Sequence, residues 1–121
     1  MRALVDTDHG VYAVDVDLDE VLGLEPGAKL VQRTADRAGT TAVVILERRP
    51  PLRVSRDAGV TWDDAGGGLP EGRAVAVHPD DPELILYAGR NRLFVSRDCG
   101  RFWRALVVEL PEIRAVAWAG R

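Results

Sequence analysis

The chain repeats itself, and no other feature constrains its fold as much. Ser55-Arg56-Asp57-Ala58-Gly59-Val60-Thr61-Trp62 recurs as Ser96-Arg97-Asp98-Cys99-Gly100-Arg101-Phe102-Trp103, at an offset of 41 residues. The same offset carries Leu69-Pro70-Glu71 onto Leu110-Pro111-Glu112, and Arg73-Ala74-Val75-Ala76 onto Arg114-Ala115-Val116-Ala117. A repeat of this length is one supersecondary unit that buries its apolar face only by stacking on a neighbour. A third, worn copy lies at Asp15-Val16-Asp17-Leu18-Asp19-Glu20-Val21-Leu22. It keeps the acid at Asp17, puts Leu22 where the tryptophan belongs and replaces the glycine with Asp19. The repeats fall at about 1–28, 29–72 and 73–121.

Within each repeat the pattern is one of strands and turns, so the expected class is all-β. Thr41 to Leu46 and Glu83 to Ala88 are short β-rich apolar runs. Residues 52–55 and 93–96 alternate and run into an Asp-x-Gly turn, where Gly59 and Gly100 supply positive φ. Pro70, Pro79, Pro82 and Pro111 stand at the breaks, where proline removes no ladder hydrogen bond. With four strands labelled A to D, repeat two reads A at 29–33, B at 41–47, C at 52–55 and D at 60–63. Repeat three reads A at 73–77, B at 83–88, C at 93–96 and D at 101–107. The N-terminus supplies B, C and D at 2–5, 11–16 and 21–24 without an A strand. The C-terminus ends on a lone A at 113–118, which is expected to complete a first unit.

Composition excludes some functions. A net charge of −3 argues against a general nucleic-acid binder, which carries a basic surplus. No apolar run approaches the roughly 20 residues of a membrane-spanning helix, and Asp6 and Asp8 stand where a signal peptide has its apolar core. Cys99 is the single cysteine, so no internal disulfide forms and a reducing cytoplasm is the expected compartment. Its variable position in the turn predicts an exposed thiol. Lys29 is the only lysine among 16 basic residues. A GC-rich bacterial genome explains that bias; selection for guanidinium, which pairs bidentately with carboxylate or phosphate, is the alternative.

Ser-x-Asp-x-Gly-x-x-Trp resembles the Asp-box, the bacterial neuraminidase repeat, and two full copies stand at blade-like spacing. The phrase from His78 to Gly89 is similar to the segment before the box in sortilin-type and photosystem II assembly-factor propellers. The resemblance covers about 41–121 well and 1–40 poorly. It implies four-stranded propeller blades whose box is the hairpin between the third and fourth strands. Ser55, Asp57, Gly59, Trp62, Ser96, Asp98, Gly100 and Trp103 are then structural, with each aspartate accepting turn N–H groups and each tryptophan burying apolar area between sheets.

Three blades do not close a ring, because propellers use about four to eight, and exposed sheet edges and apolar faces are liabilities. The expected assembly is a homodimeric six-bladed β-propeller in which each C-terminal strand completes blade one of its partner. A nine-bladed trimer, a compact monomer and a fragment of a longer propeller are the alternatives.

Propeller ligands sit at the channel mouth, so the B–C and D–A loops define the candidate ligand face. It holds Asp6, Asp8, His9, Arg48, Arg49, Arg73, Arg90, Arg92 and Arg114, with Asn91, Glu71 and Glu112 beside them. The arginines suit an anionic ligand or an acidic partner surface. Asp6-x-Asp8-His9 has oxygen and imidazole donors but reads as a solvated loop, so no metal or other cofactor is expected. Asp15-x-Asp17-x-Asp19 is no EF-hand, since its twelfth position is Pro26. His78 before Pro79 reads as turn-forming. Sialidase-like catalysis needs a Tyr–Glu pair, but Tyr12 and Tyr87 both fall in strands with no such glutamate. Nothing selects a glycosidase carboxylate pair from Asp6, Glu71 and Glu112. The expected function is a non-catalytic module that binds a protein or small anionic ligand; a carbohydrate-active enzyme with its site at the channel mouth is the alternative.

Overall fold

The computed structural model describes residues 1–119. Its regular structure is β throughout, in three four-stranded antiparallel sheets that resemble blades. Among the described residues no helix is long and apolar enough to cross a membrane. Sheet I runs in the order β12 (Ile113–Trp118), β1 (Arg2–Thr7), β2 (Gly10–Asp15), β3 (Glu20–Leu24). Sheet II is β4 (Ala35–Ala38), β5 (Thr41–Ile45), β6 (Leu52–Ser55), β7 (Asp63–Ala65). Sheet III is β8 (Ala74–Val77), β9 (Ile85–Ala88), β10 (Leu93–Ser96), β11 (Arg104–Ala105).

The C-terminal strand completes the first sheet, pairing Ala3 with Trp118 and Val5 with Val116, and it does so within one chain. Within a single chain β12 thus supplies the edge strand that the expected exchange would take from a second copy. Closing the sheet on itself costs loop entropy that grows slowly with length, whereas exchange also costs the translational freedom of a second chain.

Sheet III lies between the other two, and its sequence says why. Ala74-Val75-Ala76-Val77 and Ile85-Leu86-Tyr87-Ala88 are buried at every position, the mark of strands covered on both faces. One face (Ala74, Ala76, Leu84, Leu86, Leu93, Val95, Leu106) packs on Ala3, Val5, Val14, Ile113 and Val116 of sheet I. The other (Val75, Val77, Ile85, Tyr87, with Phe94 and Trp103) packs on Val43, Leu52, Val54 and Leu69 of sheet II. Among the described residues no strand of sheet I lies against a strand of sheet II. Sheets I and II thus each bury one face, and β1 and β5 alternate accordingly.

Three strand placements differ from the sequence reading. The A strand of repeat two is Ala35–Ala38, not 29–33. Leu30-Val31 is the more apolar stretch, but the register is set by a tight turn at Gly39, whose φ is 56° and whose Cα faces the Pro82 ring. The D strands shorten to Asp63–Ala65 and Arg104–Ala105, because the Ser-x-Asp-x-Gly-x-x-Trp turns consume residues 56–62 and 97–103. In sheet I the worn copy is out of step by one residue. Ala3 pairs with Val14 and Ile85 pairs with Ser96, and Ala3 and Ile85 hold matching places against β12 and β8. Val14, not Asp15, therefore takes the serine position. Asp15 caps the turn by accepting from the N–H groups of Asp17 and Leu18 at 3.0 and 2.9 Å. Asp17 turns away to the N-terminal ammonium at 2.8 Å and to Arg97, and both hold its carboxyl below the usual range, the ammonium first.

Candidate functional site

The two Ser-x-Asp-x-Gly-x-x-Trp turns are built alike. Ser55 Oγ accepts from Gly59 N at 2.7 Å and donates to Asp57 Oδ1 at 2.8 Å; Ser96 Oγ accepts from Gly100 N at 2.8 Å and donates to Asp98 Oδ1 at 2.8 Å. Asp57 Oδ1 accepts from Thr61 N, and Asp98 Oδ1 from Phe102 N. These bonds favour the ionised carboxyl. Asp57 is lowered to about 2, chiefly by the Thr61 hydroxyl, and Asp98 is lowered chiefly by the Phe102 N–H. Gly59 and Gly100 take φ of 92° and 84°, and each preceding residue, Ala58 and Cys99, also has positive φ. The tryptophan indoles donate back to Gly59 O and Gly100 O at 3.1 and 3.0 Å.

Their surroundings differ. Trp103 packs edge-on to Tyr87, ring centroids 5.9 Å apart, in the joint between sheets III and II. Trp62 is 41% exposed. The expectation that both tryptophans are buried between sheets fails at Trp62, because no sheet stands on its side of sheet II. It borders instead a groove of about 350 Å³ lined by Ala35, Arg37, Ala42, Val44 and Gly59. Cys99 corrects a second expectation: it is buried, with its sulfur 3.5 Å from Thr41 Oγ1 of sheet II. Sheet packing covers this turn where it leaves Ala58 exposed.

The candidate ligand face is brought together in part. Arg73 and Arg90 both reach Glu112, at 3.3 and 3.4 Å. Arg114 donates to Thr7 O at 3.0 Å, and Asp8 N donates to Glu112 O at 3.1 Å. These residues converge where β12, β8 and the β1–β2 turn meet. The other arginines lie apart, each engaged locally. Arg48 pairs with Asp64 at 2.7 Å, holding that carboxyl low; Arg49 donates to Leu69 O at 2.8 Å; Arg92 pairs with Glu109 at 2.7 Å. His9 meets Asp8 at 2.9 Å, and Asp6 and His9 together line a groove with Leu24 to Ala28. Among the described residues no three or more His, Cys, Asp or Glu side chains are grouped to hold a metal ion.

The alternative catalytic residues do not converge. Glu71 borders a groove with Arg48 and Arg49, whereas Glu112 lies between Arg73 and Arg90. Tyr87 is buried in β9, donates to Pro70 O at 2.6 Å and has its phenol pushed up to about 12 by that burial. His78 is a turn residue: its Nδ1 accepts from Asp80 N at 3.1 Å while the ring packs on Trp118.

Sequence reasoning missed the groove around Trp62. A signal for it was present. Arg37 and Arg53 occupy the sheet positions that Val77 and Phe94 occupy in sheet III, so this face carries charge where its copy is apolar. No family model matches this chain, and no curated protein or solved structure matches it either.

Proposed function

We propose that the chain is a non-catalytic interaction module of the Asp-box propeller type. Its working unit is a six-bladed ring of two chains, and its ligand is an acidic protein segment or small polycarboxylate. The observation that carries the binding role is the pairing of Arg73 and Arg90 with the single carboxylate of Glu112, with Arg114 two residues on donating to Thr7 O and Arg90 three-quarters exposed. Guanidinium groups in excess of their carboxylate leave donors for a second one. In a two-fold ring the cluster appears twice around one channel mouth, so a ligand with two anionic ends gains from both. The carboxyls whose titration shifts, at Asp17, Asp57, Asp64 and Asp98, all shift downward, whereas a glycosidase acid is held protonated.

Isothermal titration with hexaglutamate and with citrate tests the binding role. Saturable binding that weakens with salt and is lost in Arg90→Glu/Arg114→Glu supports it. Absence of binding to either probe at low ionic strength overturns it.

A further inference from the structure

We propose that two copies of the chain join head to tail, the exposed Trp62 face of sheet II in one copy seating on the uncovered face of sheet I in the other. This deepens the two-chain ring proposed above and rests on it. It replaces exchange of the C-terminal strand with a joint between completed sheets.

The chain contains the template for this joint. Sheet III presents Val75, Val77, Ile85, Tyr87, Phe94 and Trp103 to sheet II. The register places Ala35, Arg37, Ala42, Val44, Arg53 and Trp62 at the same positions of sheet II. That face therefore has the build of one that receives another sheet, and among the described residues no sheet packs on it. Local spacing agrees. A Cβ placed on Gly100 would meet Val54 of sheet II at 3.1 Å, whereas one on Gly59 would meet only its own Trp62, at 3.8 Å. The space that Val54 and Ala65 fill beside Gly100 is open beside Gly59.

The opposite end is complementary. The uncovered face of sheet I carries two rows, Ala117–Leu4–Ala13–Gly23 and Ala115–Asp6–Val11, with Glu25 bonded to the end of the second. By register these are the places that in sheet II face sheet III, with Ala13 standing where Val54 stands. Small residues there leave room for an indole. Charge selects the partner. Residues 1–28 hold seven acids and one base, Arg2, whereas residues 29–65 hold seven bases and five acids. In the joint Asp6 and Glu25 come opposite Arg37 and Arg53, and there they compete with the pairs that Glu25 makes with Arg2 and Arg53 with Asp64 within the chain. A head-to-tail contact closes only when the rotation brings the ends together. Two chains give six blades, within the propeller range of about four to eight.

Sedimentation equilibrium on the full chain, across concentration and salt, tests this with four variants. Trp62→Ala should raise the dimer dissociation constant about 30-fold, the scale of a tryptophan anchor. Asp6→Arg/Glu25→Arg and Arg37→Glu/Arg53→Glu should each be monomeric alone and form a 1:1 heterodimer when mixed, because both joints then bring opposite charges together. That rescue also shows that the variants fold. Pro111→stop removes the strand and serves as the contrast for exchange. A wild-type chain that stays monomeric overturns the ring and the joint together. A dimer that survives Trp62→Ala and both charge reversals overturns the joint alone and leaves the ring.

Discussion

The turn at residues 55–62 and the turn at 96–103 share sequence, hydrogen bonds and backbone geometry, yet one lies at the surface and the other in a joint. Residues 57–59 are exposed, whereas Cys99 and Gly100 are buried. Trp62 borders an open groove, and Trp103 packs on Tyr87. A turn of this type therefore builds itself from local bonds, and its energetic worth is decided by whatever sheet stands across from it. Inter-sheet bonds follow the same rule. Arg56 reaches across to Cys99 O at 2.8 Å, and its copy Arg97 reaches Asp17 of sheet I. Sheet I has Asp15 at the matching position, which caps its own turn instead.

The comparison breaks most sharply at the tryptophans. Trp103→Ala should cost about 3–5 kcal/mol in urea unfolding, the usual range for truncating a packed aromatic. Trp62→Ala, measured at concentrations where the chain is monomeric, should cost under about 1 kcal/mol, as surface substitutions do. Equal losses would mean that Trp62 is already seated.

Smaller differences are expected at the glycines. Gly59→Ala should cost about 1–2 kcal/mol for the left-handed backbone alone. Gly100→Ala should cost more, because the added methyl also crowds Val54 at 3.1 Å.

The aspartates should sharpen the pH dependence. Their folded pKa values lie below the ordinary 3.8, so the stability they lend is present above about pH 4 and is lost as pH falls toward 2, Asp57 titrating at about 2. Thermal melts between pH 5 and 2 should show that loss, and Asp57→Asn/Asp98→Asn should flatten it. An unchanged slope in the double variant would remove the turns as its source.

The least perturbing probe is a thiol. Cys99 should react slowly with a disulfide reagent in the folded chain. Ala58→Cys, at the equivalent exposed site, should react at once when dilute and more slowly as concentration drives the proposed joint to form. Equal rates for the two thiols would contradict the burial difference.

Much of the architecture was legible because it depends on near neighbours. Strands β6 and β10, the turns after them and the completing role of residues 113–118 all sit on one 41-residue offset. Strand β4 is hidden in the sequence because its Ala-Asp-Arg-Ala carries a charge on each side, Arg37 on the side that faces no sheet and Asp36 on the side that accepts from Val77 N, whereas Leu30-Val31 is the more apolar stretch. The first turn is out of step by one residue because Asp15 and Asp17 mimic the spacing of the serine and acid positions, whereas pairing with β1 puts Val14 and Val16 there. The arginines were legible as a group but not as pairs. Which carboxylate each one meets depends on loops brought together from residues 7–9, 73, 90 and 112–114.

The sequence by itself determined the repeat, the all-β class and the internal wiring of each turn, since those bonds span at most four residues. Only the tertiary structure decided that β12 closes its own chain's first sheet, that sheet III is covered on both faces, and that one tryptophan is packed while its copy stands open. The reason is physical. Burial is set by what lies across a sheet face, and that neighbour comes from a distant part of the chain, beyond the reach of any local pattern.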